Sequence, residues 1–418
     1  MQLPPPSSNA SSRVVIVGAG PAGMATALEL AQKGVASTVL EKRGEVAQRA
    51  PLFAVIPPFA DRLAALDADG ALTKHLVPMA KMETDDLTTG RHGERTFDTP
   101  LAPDATRSRG DMAALLSAAG SPGKPGADTR RWSTVGIGDL ENAMRGLAKA
   151  KYSDLIDLRY DTPVTSVRQG EGWAEALLAP AAGAAPGAGG AADAVRGAML
   201  IDASGRNLLG STRTVYPEQS HWAGAKFGPP PDGYTGTQRV SAADTPTGLV
   251  ESAGDPQHLT LRLPSDDRRI VWTQVDTPAV GDDAAAAREL VAARAKLVGI
   301  DEPLPDDAAV MPVTVQLSTT DNPADRRILA VGDSVRSPYF MTSTGAAAAL
   351  VHDTPRAVDA VTAVLGGADP AAVSADYAAA VRQANEGLLA LTRPRVLGDL
   401  GINRADAGPP TTVSAEPR

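Results

Sequence analysis

The chain of 418 residues contains no cysteine. That absence excludes disulfides, thiolate metal sites and cysteine nucleophiles. Aromatic residues make up 4% of the sequence, and the four tryptophans are isolated from one another. No run of about 18 apolar residues occurs, so nothing in the sequence is suited to span a bilayer. Lys and Arg never form a block and the net charge is −9, which argues against a nucleic-acid or anionic-membrane partner. The histidines, His75, His92, His221, His258 and His352, show no metal-ligand spacing, and no metal is expected. The first twelve residues lack a basic n-region and an apolar h-region and read as a disordered lead-in, so the expected location is cytoplasmic. What remains is globular in character, with 43% hydrophobic and 21% charged residues. The length suits about two or three domain-sized units.

One segment is dense in information. The β-branched run Val14–Val17 leads straight into Gly18-x-Gly20-x-x-Gly23, with Pro21 and Ala22 filling the turn. An apolar helical repeat follows through Met24, Ala27, Leu28 and Leu30, and a second apolar strand then ends on Glu41. Gly18 permits a tight strand-to-helix turn, Gly20 lets the backbone approach a pyrophosphate, and Gly23 lets the helix lie close on the sheet. The helix N-terminus offers unpaired N–H donors to phosphates. Glu41, 23 residues beyond Gly18, is spaced to accept hydrogen bonds from an adenosine ribose. Lys42 and Arg43 follow it directly, and Arg49 lies in the next loop. For these cations, phosphate contact and a solvated loop charge are both open.

Farther along, helices are expected at 58–66, 139–150, 284–297, 346–365 and 371–391. Strands are expected at Leu158–Arg168, Trp173–Ala179 and Ala198–Ala203, then over most of 212–315 and again at Arg327–Asp333. Within that region His258–Leu263 and Arg269–Val275 read as a hairpin. Residues 77–128 read as irregular. Residues 179–192, composed of Ala, Gly and Pro, read as a mobile hairpin loop, because such small side chains bury too little area to offset ordering.

Three separated segments together resemble the flavoprotein monooxygenase superfamily. They are the Gly18–Glu41 fingerprint, Leu200–Arg206 (similar to the "D-A-S-G-R" form of the middle motif at Asp202) and Ile328–Ser334 (similar to the "GD" motif at Gly332 and Asp333). That superfamily contains aromatic hydroxylases, squalene-type epoxidases, flavin halogenases, geranylgeranyl reductases and lycopene cyclases. The resemblance implies an α/β fold of α+β, two-domain type. It would pair a Rossmann-like FAD-binding domain of the glutathione-reductase/aromatic-hydroxylase type with a mostly antiparallel β-sheet substrate domain and C-terminal helices. The implied division is a disordered 1–12, FAD-binding parts at 13–76, 131–211 and 326–400 (the last with the C-terminal helices), an irregular substrate-domain segment at 77–130, a substrate-binding sheet at 212–325 and a tail at 401–418. FAD is the implied cofactor. Its ADP half would lie on Gly18–Glu41 and its ribitol on Asp333, with Asp202 organising the turn beside it. Arg49 stands where the family often places an arginine on the FAD phosphate.

The sequence also departs from the family. Asp202-Ala203 replaces the Asp-Gly pair of NADPH-using hydroxylases and resembles the halogenase, reductase and cyclase branches. NADPH and a separate flavin reductase therefore both stay open as sources of electrons. After the GD motif the hydroxylase "P-x-x-G-x-G" is reduced to Gly345, which opens an Ala-rich helix whose N-terminal dipole would favour negative charge on the flavin pyrimidine ring. The halogenase "W-x-W-x-I-P" run is absent. In this fold Tyr339, Phe340 and Met341 would approach the isoalloxazine ring as a lined apolar pocket, and His221 is the candidate acid/base, with an ordinary structural histidine as its other reading. The function expected is an FAD-dependent monooxygenase that hydroxylates or epoxidises a large, apolar organic small molecule in secondary-metabolite biosynthesis. The alternative is a redox-neutral FAD-binding cyclase, forming a ring by [4+2] or other closure. An NAD-binding reductase is a third reading, weaker because Asp202 and Asp333 would then have no role.

Overall fold

The fold is seen in a computed structural model that describes residues 12–47, 49, 51–86, 92–96, 99–107, 112–119, 130–179, 193–205, 208–229, 237–242, 260–264, 268–275, 284–337, 344–399 and 407–413. Its centre is a six-stranded sheet in the order Ala324–Asp325, Ile328–Ala330, Met199–Asp202, Val14–Val17, Ser37–Leu40, Ile156–Arg159. All its pairings are parallel except the one between Ala324–Asp325 and Ile328–Ala330. Val17 lies opposite Asp202, and Asp202 opposite Ala330, so the three motif strands end side by side. Ligands of doubly wound sheets bind at such carboxyl ends.

Side-chain alternation along the strands makes three layers. Val14, Ile16, Val39, Met199 and Ile201 pack in one core with the helix Pro21–Gln32. Val15, Val17, Leu40, Leu200 and Ile328 instead meet Ala174 and Ala176 of a three-stranded antiparallel sheet formed by Val164–Gly170, Trp173–Leu178 and Ala194–Gly197. A larger sheet runs Arg336–Ser337, Val310–Thr320, Arg213–Phe227, Arg269–Val275, Thr260–Pro264, Thr237–Ala242, Lys81–Asp86, His92–Thr96, with Thr411–Val413 paired to Arg213–Val215. Its pairings are antiparallel apart from Thr237–Ala242 with Lys81–Asp86. One face of it, through Ala223, Ala225 and Val271, is covered by the helix Ala284–Ala295. The other face presents Trp222, Leu263, Trp272 and Val315, which pack with Leu52.

The hairpin Thr260–Pro264/Arg269–Val275 is present, and the helices Pro57–Leu66, Ile137–Lys151 and Ala284–Ala295 lie where periodicity placed them. Three readings change. The 77–128 region carries the strands Lys81–Asp86 and His92–Thr96 and the helix Met112–Ala119. These two strands are charged and lack apolar alternation; main-chain pairing joins Lys81–Asp86 to Thr237–Ala242 on one side and to His92–Thr96 on the other. The strand expected at Leu158–Arg168 divides into Ile156–Arg159 and Val164–Gly170, because Asp161 adopts a left-handed φ of 52° between them. The helix expected at 346–365 is Thr344–Ala348 and Thr354–Leu365 joined through a π turn, Ala349–Asp353. The loop 180–192, Arg206, His258 and Tyr339 to Met341 lie outside the described residues. Among the described residues no helix is long and apolar enough to cross a membrane.

Candidate active site

The glycine turn has a distinct job at each position. Gly18 has φ 103°, and a Cβ there would lie 2.5 Å from the carbonyl oxygen of Ala203. A Cβ on Gly23 would lie 1.9 Å from the Gly18 oxygen. Both glycines therefore serve the close packing of turn, helix and middle-motif strand. Gly20 is different: a Cβ there would meet only Glu141 Oε1, at 3.7 Å, so its open side faces a cavity. Gly20 is also the N-cap of the helix Pro21–Gln32 and contributes no side-chain cap, which leaves the N-terminal N–H groups available to an anion.

Glu41 is buried beside this turn. Its Oε2 accepts the Ala19 N–H at 2.8 Å and its Oε1 the Arg43 N–H at 3.0 Å, leaving further lone pairs for a ligand hydroxyl. Arg145 braces the same corner, donating to the Ala19 and Glu45 oxygens at 3.2 and 2.8 Å, with its guanidinium 3.9 Å from Glu41. Asn142 donates to and accepts from the Ala47 backbone, Gly138 N–H donates to the Arg49 oxygen, and Glu141 pairs with Arg49 at 2.9 Å. Residues 138, 141, 142 and 145 thus form one face of the helix Ile137–Lys151, and that face fastens the loop after Glu41. Glu141 is buried, and its Oε2 has no partner among the described residues. Periodicity marks this helix through its apolar face, Leu140, Met144, Leu147 and Ala148, and does not mark its polar one. The signal available was the helical spacing of Glu141, Asn142 and Arg145.

The two motif aspartates are used differently. Asp202 is fully buried: Oδ1 accepts the Ser204 N–H and hydroxyl and the Ser334 hydroxyl, and Oδ2 accepts the Leu208 N–H. It ties the middle motif to the GD turn. The Asp333 carboxylate accepts no hydrogen bond among the described residues, and Asp333 is solvent-accessible where it lines the cavity. Desolvation by the surrounding cavity walls pushes its pKa above the usual carboxylate value, against the opposing pull of Arg49, Arg336 and Arg213, even though the residue stays open to the cavity. Gly332, with φ 64°, and Gly345 complete this wall.

One continuous cavity of about 740 Å³ connects these features. It runs from Gly20, Glu41, Lys42, Arg43 and Arg49 past Asp333 and Gly345. The same cavity is also lined by the apolar side chains Phe53, Trp132, Leu263, Trp272, Val313 and Val315. Of the residues expected from the sequence to hold the cofactor, Gly18, Gly20, Pro21, Ala22, Glu41, Lys42, Arg43, Arg49, Gly332, Asp333 and Gly345 line this one cavity, whereas Gly23 and Asp202 do not. His221 is not among the lining residues. Strand alternation turns it away from the Trp222 face, and it is half-exposed and bonded to Thr314 Oγ1 at 3.0 Å. Glu83, His92 and Glu94 converge at the outer edge of the large sheet, but Lys81 already bridges both carboxylates at 2.9 and 2.6 Å.

Residues 11–51 match the family model described as "FAD binding domain". Solved structures with this fold include p-nitrophenol 4-monooxygenase PnpA from Pseudomonas putida DLL-E4 (18% identity, TM-score 0.63, covering 93% of this chain and 93% of that one). The flavin-dependent halogenase CmlS also matches (18% identity, TM-score 0.66, 90% of this chain and 62% of that longer one). So does aklavinone-11 hydroxylase, solved with FAD and aklavinone (20% identity, TM-score 0.60, 86% and 64%). No curated protein sequence matches. At these identities the structural likeness establishes the fold, and the matched segment carries the FAD-binding turn. The residues fit FAD: the cradle at Gly20 is one that a side chain would fill, and Asp333 presents unshared acceptors to it. Arg145→Met is expected to raise the Kd for FAD about tenfold, the loss of a charge-assisted contact worth roughly 1.5 kcal/mol. Titration of the apo-protein by flavin fluorescence quenching measures it, and an unchanged Kd would remove this helix face from the site.

Proposed function

We propose that this chain, which shares the fold of solved flavin-dependent monooxygenases and matches an FAD-binding model over residues 11–51, is an FAD-dependent monooxygenase hydroxylating or epoxidising a large, apolar organic substrate in natural-product biosynthesis. The observation that carries this reading is that one cavity is lined both by the charged and glycine residues expected to hold FAD, among them Gly20, Glu41, Arg49 and Asp333, and by the apolar side chains Phe53, Trp132, Leu263 and Trp272. Bound FAD supplies the reaction of its reduced form with oxygen and the delivery of one oxygen atom to the substrate. The chain's part is to bind and orient. Glu41 and the Gly18–Gly23 turn hold the ADP half, Asp333 takes the ribitol hydroxyls, and the apolar walls exclude water from the reacting end. Those walls offer shape and aromatic contact to an apolar substrate. The absence of the "W-x-W-x-I-P" run argues against halogenation.

Asp202-Ala203 and the single Gly345 favour one other reading, a redox-neutral cyclase that keeps FAD without cycling it. One experiment separates the two. With substrate present, NADPH or a flavin reductase is expected to bleach the flavin and start oxygen consumption, and product formation is expected to stop under nitrogen. Conversion to an isomer of unchanged mass, anaerobically and without reductant, would establish the cyclase instead.

A further inference from the structure

We infer that the buried ion pair between Arg336 and Asp353 is a positioning pair, which fixes the Gly332–Asp333 turn and so the carboxylate that meets the FAD ribitol. This rests on the reading that the cavity holds FAD. Arg336 lies three residues beyond Asp333, in a two-residue strand paired to the edge of the large sheet through Thr319. Its side chain is 2% exposed and that of Asp353 is 0% exposed. The guanidinium grips the carboxylate through both terminal nitrogens, at 2.5 and 2.7 Å, while Nε donates to Asn385 Oδ1 of the long helix Pro370–Asp399 at 2.5 Å.

Asp353 is also bonded to the GD turn itself, because its Oδ2 accepts the Gly332 N–H at 3.3 Å. His352 Nδ1 lies 3.0 Å from its other oxygen. Asp353 closes the π turn Ala349–Asp353, whose extra residue rotates the helix Thr354–Leu365 by about 100° relative to a continuous α-helix. Arg62 Nε donates to the Leu350 oxygen within that turn at 3.1 Å, and Ala349 and Leu350 line the cavity. The GD turn is thus held from two sides, by Asp202 through Ser334 and by Asp353 through Gly332. Buried ion pairs are weak contributors to net stability, and apolar pairs of similar volume commonly replace them without loss. Geometry at the adjoining turn is what this pair supplies.

The test uses the full-length apo-protein and titrates FAD and ADP separately. Arg336→Met/Asp353→Leu, which leaves no unpaired buried charge, is expected to weaken FAD about tenfold and to alter the visible circular dichroism of the bound flavin. ADP, which reaches only the Gly18–Glu41 end, is expected to keep its affinity within about twofold. Arg336→Lys keeps the charge but loses the two-pronged grip, and is expected to behave like the double variant rather than restore binding. In an Asp333→Asn background the double substitution is expected to add less than about twofold, because the pair acts through Asp333. Wild-type FAD affinity and dichroism in a folded variant would overturn the inference. So would equal losses for FAD and ADP, rescue by lysine, full additivity with Asp333→Asn, or failure of both variants to fold, each of which assigns the pair a charge or general structural role. Failure of the FAD reading shows separately, as a wild-type protein that binds no FAD.

Discussion

Gly20→Val is expected to leave the chain folded and to abolish FAD binding. The backbone at Gly20 is extended (φ −73°, ψ 179°), a conformation valine adopts freely. The only atom found within 4 Å of a Cβ there is Glu141 Oε1, at 3.7 Å, so the added Cβ clashes with nothing in the protein. The isopropyl group instead fills the space against the N-terminus of the helix Pro21–Gln32, where the pyrophosphate must come within hydrogen-bond reach of backbone N–H groups. Losing two charge-assisted contacts of roughly 1.5 kcal/mol each raises Kd at least about 100-fold. Flavin absorbance after purification and titration of the apo-protein measure this, with far-UV circular dichroism as the control for folding. Full FAD occupancy in a folded Gly20→Val protein would show that the cofactor lies elsewhere. Gly23→Val is not an equivalent test. Its Cβ would sit 1.9 Å from the Gly18 oxygen, so loss of flavin there would follow from loss of the turn.

The contrast between these glycines also shows what could be read from the chain alone. Val14–Val17 and Leu200–Asp202 announce their strands locally, since β-branched and aliphatic runs that stop at a glycine or an acid need no partner to be recognised. Their register, Val17 opposite Asp202 opposite Ala330, explains why three segments far apart in sequence form one wall. What was not legible depends on pairing across the fold. Glu141, Asn142 and Arg145 acquire meaning only once the loop after Glu41 is laid along their helix face. Arg336 and Asp353 are a charged residue in a short strand and another within an apolar helix, and neither pattern says that they meet. The strands Lys81–Asp86 and His92–Thr96 carry no apolar alternation, so only their backbone pairing, to Thr237–Ala242 and to each other, reveals them. Asp161 splits a strand through a left-handed φ, which an Asp tolerates without any glycine to mark it. His221 is absent from the cavity lining for a related reason: a one-residue offset from Trp222 turns a side chain to the opposite face of a sheet.

Asp333→Asn is expected to weaken FAD about tenfold or more while making the FAD-free protein more stable at neutral pH, and Asp202→Ala is expected to do damage of the opposite kind. Asp202 satisfies the Ser204 and Leu208 N–H groups and the Ser334 hydroxyl from a fully buried position. Truncating it strands those donors at about 1–3 kcal/mol each, so lower thermal stability should precede any specific effect on the cofactor. Asp333 holds no such donors among the described residues; its side chain is open to the cavity, yet the protein walls around it strip away enough water to raise its pKa in the folded chain above the unfolded value. A raised carboxyl binds its proton more tightly when folded, so its ionised form costs stability above the folded pKa, and that cost vanishes below the unfolded pKa of about 3.9. The stability advantage of Asp333→Asn over wild type is therefore largest at neutral pH and closes as pH falls toward 4. Asp353 contributes in the other direction. Burial alone would raise its pKa, but Arg336 and His352 overcome this and hold it below the ordinary value, so its stabilisation is present above the unfolded pKa and is lost as pH falls through the folded one. Comparing thermal melts of apo wild type and Asp333→Asn from pH 7 to 4 cancels the Asp353 contribution common to both. Equal, near-neutral effects on FAD affinity at Asp202 and Asp333, with parallel pH profiles, would separate this turn from the cofactor and reduce the GD resemblance to a strand ending in a loop.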